Sequence, residues 1–209
     1  MPTPTDIVNI GLRRIGADRI GDLQSDSNKP ARVARDIYQE ARRELLSAHT
    51  WNFAAKRTSF DATVDADTAD TPTFGWDYAY NLPEDFLRMV SVHPGDSDNS
   101  TIDYKLEFQE DADRVLLCNA NKVYIKYVFD LEDMNAAGVA FRDALAWRLA
   151  REFAGALSKS TAAAQSADAA FRRALAHAKA VDGIENYPTK MDQGDWVRSR
   201  FSGSDNDVF

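Results

Sequence analysis

Three histidines, one cysteine and a surplus of carboxylates are the side chains with which this sequence can do chemistry. His49, His93 and His177 stand far apart, and none has a second His or a Cys at metal-ligand spacing, so a zinc site is not expected. Cys118 has no neighbouring motif to supply a base and reads as a small strand residue rather than a nucleophile. Among the 33 Asp and Glu residues, Glu84, Asp85, Glu107 and Glu110 can be assembled on paper into an acid–base pair for glycoside hydrolysis. Nothing in their spacing brings any two to working distance. No glycine-rich phosphate loop and no G-x-S-x-G elbow occurs. The expectation is a protein without catalytic residues, metal or cofactor, with a polysaccharide hydrolase as the alternative.

Charge and composition narrow the class further. The chain has 209 residues, 44% hydrophobic and 28% charged, which suits one large folded unit or a domain with an insertion. A net charge of −8 speaks against gripping nucleic acid through the whole surface, although a like-charged wall lets DNA pass without sticking. The short basic pairs Arg42-Arg43 and Lys56-Arg57 read first as salt-bridge partners or solvated faces, and second as contacts to an acidic partner. No apolar run approaches the roughly 20 residues that span a bilayer, and the start, MPTPTDIVNIGLRR, lacks a secretory pattern. A lone cysteine permits no intrachain disulfide, so synthesis in a reducing cytoplasm and a soluble product are expected.

The elements follow from periodicity. A short helix capped by Thr3 or Thr5 ends at Gly16, and a loop anchored by Ile20 and Leu23 leads to a longer helix opened by Pro30. Ala34, Ile37, Tyr38, Ala41, Leu45 and Ala48 form its apolar face. From Thr58 to about Tyr127 the pattern turns to strands, with polar loops at 61–73 and 93–101 and a hairpin turn predicted at Asn119-Ala120-Asn121. Pro83-Glu84-Asp85 reads as a turn between two strands. Helical spacing returns with Phe141, Leu145, Leu149, Phe153 and Leu157, and Ala140, Trp147, Ala150 and Ala154 form a second stripe that needs its own cover. Ser160 and Thr161 cap an alanine-rich helix that Gly183 stops. The fold class expected is α+β, mostly a helical bundle with a β-sheet insertion. Residues 1–57 and 129–183 would form the bundle, 58–128 the insertion, and 184–209 an extended tail for docking.

Four stretches, in this order, resemble the head-to-tail adaptor family of short-tailed bacteriophages, also called tail tubular protein A. They are IVNIGLRRIGADRIGDL, ELLSAHTWNFAAKR from Glu44 to Arg57, YAYNLPEDFLR from Tyr78 to Arg88, and the two alanine-rich helices followed by Asp195-Trp196-Val197-Arg198. The second and third are the specific ones. Thr50 departs from the family pattern, where proline is common. In the second stretch Trp51 and Phe53 are expected to staple the helix exit back onto the bundle as the chain enters the sheet.

The resemblance implies a virion protein that forms a ring, expected to be twelve-fold, beneath the portal. Such a ring joins the portal protein to the tail nozzle protein, helps attach tail fibre or spike proteins, and lets genome DNA pass on ejection without specific binding. On that reading Trp147 on the doubly apolar helix and Tyr187, Trp196, Val197, Arg198, Arg200, Phe201 and Phe209 in the tail are the candidate partner interface. The free chain is expected to be a monomer or small oligomer, with the portal as template for the ring.

Overall fold

A computed structural model describes residues 2–61, 69–70, 72, 74–96, 100–109, 112–158 and 160–185. Helix α1 spans Pro4–Arg14 and α2 spans Lys29–Ser47. The strands are β1 Ala55–Asp61, β2 Ala69–Asp70, β3 Tyr78–Asn81, β4 Phe86–His93, β5 Lys105–Gln109, β6 Ala112–Cys118 and β7 Lys122–Phe129. Helices α3 Val139–Phe153 and α4 Thr161–Ile184 close the order, giving the expected α+β class with the strands inserted between helical blocks.

Local chemistry sets the helix ends. Thr3 and Asp6 form a reciprocal capping box on α1: the Asp6 amide donates to Thr3 Oγ1 at 3.2 Å and the Thr3 amide to Asp6 Oδ2 at 2.8 Å. Gly16, at φ +72°, takes the left-handed conformation just after that helix. Asn28 caps α2 through the Ala31 amide at 2.9 Å, with Pro30 in the first turn. Ser160 caps α4, whereas Gly183 lies inside its last turn rather than beyond it. After Phe153 the chain widens into a π-helical turn, Ala154–Ser158, which carries the apolar stripe on to Leu157.

Helix α3 is the centre of the bundle, packed against α1, α2 and α4. Its neighbours run against it in chain sense: Arg14 pairs with Asp143, Lys29 donates to the Ala156 carbonyl at 3.2 Å, and Arg151 pairs with Asp168 at 3.1 Å. Gly11 lets α1 and α3 approach closely: a Cβ there would stand 3.0 Å from the Ala146 carbonyl oxygen and 3.2 Å from the Phe153 ring, a tight fit. The two-sided apolar pattern of α3 is covered only in part within the chain, Ala140 and Trp147 of the second stripe staying partly exposed. Phe141, Leu145, Leu149 and Phe153 are buried, and so are Ala150 and Ala154 of the second stripe.

The strands form two antiparallel sheets, ordered β1-β7-β4 and β2-β3-β6-β5. The expected hairpin at 119–121 is corrected here: β6 pairs with β3 and β5, while β7 pairs with β1 and β4. The turn instead carries the chain from one sheet to the other. Apposing the two sheets buries Tyr80, Leu116 and Cys118 against Met89, Val92, Val123, Ile125 and Tyr127, while Val128 of the three-stranded sheet turns to the helical core and Ala79, Val115 and Leu117 of the other sheet are buried in a separate cluster beside Trp76. The corner is held by its own hydrogen bonds, since Tyr80 Oη donates to the Ala120 carbonyl at 2.8 Å and the Asp77 amide to Asn119 Oδ1 at 3.0 Å. The Pro83 turn makes the same kind of crossing, from β3 into β4. Within the stretch expected to be loop from 61 to 73, Ala69–Asp70 adds a short edge strand beside β3. Tyr104, Leu106 and Phe108 alternate with Lys105 and Glu107 in sequence, yet Phe108, beside a register irregularity between Glu107 and Gln109, is 74% exposed.

Where β7 returns to the helices, a buried ion pair forms. Arg42 of α2 is 1% exposed, donates to the Leu131 carbonyl, and brings Nη2 to 2.7 Å from Asp130 Oδ1. Arg43 reaches the other oxygen of Asp130 at 2.8 Å from a half-exposed position. Replacing Arg42 with alanine leaves the Leu131 carbonyl and one oxygen of Asp130 without their buried partner, and we expect it to cost about 3 kcal/mol. Arg43→Ala removes an exposed partner and should cost under about 1 kcal/mol. Urea unfolding of the two variants measures both, and equal losses would contradict this ranking.

Candidate partner interface

The two stretches that carry the specific resemblance meet where the bundle joins the sheets. After α2 ends, Trp51 turns inward at 1% exposure and its indole N–H donates to the Leu45 carbonyl at 2.9 Å. Its ring lies 5.0 Å from that of Phe141 and 5.7 Å from that of Phe53, which itself meets Phe141 edge-on at 5.0 Å. The expected staple is therefore present, with α3 as its base. A three-residue 3-10 turn, Asn52–Ala54, then delivers the chain into β1.

Asn52 clamps this exit to the far end of α4. Its amide donates to Asp182 Oδ1 at 2.9 Å, and its side-chain Nδ2 donates to the Asp182 carbonyl at 2.8 Å. Asp182 is buried, and its second oxygen faces His49 Nε2 at 3.2 Å. Periodicity gave no sign of Asp182, which follows Val181 directly and reads as an ordinary exposed helical carboxylate. Asn9 is a similar case: buried, it donates to the Ile20 carbonyl at 3.0 Å and accepts from the Ile20 amide at 2.9 Å, fixing the loop after α1.

The third stretch closes on the second. Lys56 Nζ stands 2.6 Å from Asp85 Oδ2, and Arg88 Nη2 donates to Thr50 Oγ1 at 2.7 Å. The departure from proline at position 50 thus supplies a hydroxyl that proline lacks. Asp85 also accepts from Tyr127 Oη at 3.0 Å, and its carbonyl takes the Asp130 amide at 2.7 Å. Of the carboxylates weighed for hydrolysis, Asp85 is engaged in this joint and Glu107 pairs with Lys105 on β5, while Glu110 lies outside the described residues.

Cys118 is buried with its sulfur 3.6 Å from the Ala120 carbonyl oxygen, and burial pushes its thiol pKa up, opposite to what a nucleophile needs. His93 contacts the Ser100 carbonyl at 2.6 Å and Ser91 Oγ at 2.7 Å. Among the described residues, no group of three or more His, Cys, Asp or Glu is placed to hold a metal ion. No helix there is long and apolar enough to cross a membrane.

Trp147, one of the candidate interface residues, is half-buried, with the Arg14 guanidinium 4.1 Å from its ring centroid. Tyr187, Trp196, Val197, Arg198, Arg200, Phe201 and Phe209 lie outside the described residues. Large apolar side chains that are exposed include Phe74 and Phe108 beside the four-stranded sheet, and Val139 and Ile184 at the end of the bundle. Between that first turn of α3 and the last turns of α4 runs a groove of about 570 Å³, lined by Trp51, Phe53, Phe141, Ala178 and Val181.

Two buried phenols, Tyr38 in the helical core and Tyr127 at the joint, give the fold a pH signature. Burial holds the Tyr38 and Tyr127 hydroxyls up to about 12, above the ordinary 10.0, and Asp85 adds to the effect on Tyr127. The unfolded chain loses these protons from about pH 10, the folded chain only near 12, so stability is full below 10 and falls as pH rises through that window. Tyr127→Phe should flatten part of the fall, measured as the urea midpoint against pH. An unchanged alkaline slope in the variant would contradict the assignment.

No protein-family model matches the chain, and no curated protein is found to be similar to it.

Proposed function

We propose that this chain is a structural virion subunit, a head-to-tail adaptor that forms a ring of twelve beneath the portal protein. It joins that portal to the tail nozzle protein, helps attach tail fibres or spikes, and surrounds the path of the ejected DNA. The observation that carries the reading is the meeting of the two resembling stretches, Glu44–Arg57 and Tyr78–Arg88, through Lys56–Asp85 and Thr50–Arg88. Two stretches that resemble one family, far apart in sequence, build a single joint, with Thr50 the one position in it that departs from the family pattern. The net charge of −8 suits a channel that DNA must pass without adhering.

The apolar and arginine-bearing positions after Glu185 are the proposed portal contacts, because aromatic and Arg side chains dominate interface energetics. A chain ending at Glu185 keeps every described helix and should remain helical by circular dichroism. Mixed with its cognate portal protein, the full chain should shift the particle mass upward and the shortened chain should not. Full-length protein that leaves the portal's mass unchanged would overturn the adaptor reading. Equal binding by the shortened chain would remove the tail from the interface.

A further inference from the structure

The outer face of the three-stranded sheet sets two cations directly against each other. Along β1 and β7, Phe60, Val123 and Ile125 turn into the core between the sheets, so by alternation Arg57, Ser59, Tyr124 and Lys126 turn to the opposite face. The β1–β7 register makes Arg57 and Lys126 partners, which puts their Cβ atoms roughly 5 Å apart. Like charges directly opposite each other on neighbouring strands destabilise a sheet. Lys122, on the same face, is met by Asp61 at 3.6 Å. Arg57 makes a contact of its own, whereas among the described residues no carboxylate pairs with half-buried Lys126. A cavity of about 240 Å³ opens beside Arg57 and Lys126, and Ser59, Tyr124, His93 and Asp96 also line it. His93, 5% exposed, is held there by the Ser100 carbonyl at 2.6 Å and Ser91 Oγ at 2.7 Å, which fixes the wall without a ligand.

We propose that this cavity is a site for a small phosphate-class dianion, free phosphate or the phosphate end of a monoester, held between Arg57 and Lys126. Its volume lies below the roughly 300–1,000 Å³ of sites for drug-sized ligands, so the occupant is small. The chemistry of the walls selects its charge. A guanidinium offers a planar fork of donors and an ammonium a compact point charge, and both are established phosphate-binding groups. The Ser59 hydroxyl adds a neutral donor. Asp96, exposed, offsets one of the two cations and leaves the lining positive. An oxyanion carrying two charges meets both opposed cations at once and relieves their repulsion, which a single carboxylate does less well. In a chain of net charge −8, this face thus keeps a local attraction for phosphate that the overall charge opposes.

Titration of the intact chain with inorganic phosphate, with chloride adjusted to hold ionic strength constant, decides it. Binding is read from backbone amide resonances, because phosphate also raises thermal stability merely by exclusion from the surface. Resonances of residues 57–59, 93–96 and 124–126 should move saturably in the wild type. Lys126→Gln removes one charge-assisted bond and should weaken the affinity at least roughly tenfold. In chloride alone that variant should melt no lower than the wild type, since it also removes the repulsion. Arg173→Gln, which removes an exposed cation on α4, should leave the affinity unchanged. Glycerol 3-phosphate separates the two sources within the proposal: binding as tight as that of phosphate assigns a monoester end group, and weaker binding assigns the free ion. Wild-type resonances that do not saturate would overturn the site, as would equal affinity in Lys126→Gln or equal loss in Arg173→Gln. Acetate binding as tightly as phosphate would overturn the choice of a dianion.

Discussion

A buried arginine organises this molecule. Arg42 leaves the middle of α2 almost without solvent contact, and its charge is met only where β7 gives way to the segment leading into α3. Taking a guanidinium out of water costs several kcal/mol unless close partners meet it. Those partners, the Asp130 carboxylate and the Leu131 carbonyl, exist at that place only when the sheets have formed and the chain has come back to the helices. The helical and sheet halves are thereby coupled in stability. Leu131, Met134 and Ala137, which follow in the same segment, then enter the bundle core.

The outward crossing is held in the same way by different chemistry. Trp51 supplies apolar area and one hydrogen bond, Asn52 supplies two more to Asp182, and Lys56 and Thr50 reach across to the loop and strand that follow Pro83. Both crossings share Asp85, which binds Lys56 on the way out, and Tyr127 and the Asp130 amide on the way back. The helical and sheet halves are thus joined at two points.

Much of the architecture was legible because it rests on local rules. Thr3, Pro30 and Ser160 announce helix starts through capping chemistry, and the apolar spacing of α2 and α3 marks the faces that are buried. Where reasoning from periodicity failed, the deciding contact was remote in sequence. Asn119-Ala120-Asn121 looks like a hairpin because turn residues flank two apolar runs, yet a hydroxyl from Tyr80 and an amide from Asp77 bend it between sheets. Phe108 carries the right alternation but sits at a register irregularity that only pairing reveals. At the candidate site, Trp51 and Phe53 were visible as aromatic residues at a helix exit. Asp182 and Asn52 were not, since a buried carboxylate on an alanine-rich helix has no local signature. The basic pairs resolved toward structure: Arg42 and Arg43 share Asp130, and Lys56 takes Asp85.

On the function proposed above, this joint belongs to a ring-forming subunit of a virus tail. Single-particle imaging of the chain mixed with its cognate portal protein tests it most directly. The account predicts a coaxial ring of twelve copies seated on one face of the portal. Portal particles with that face bare, at a concentration where the chain is in excess, would contradict it.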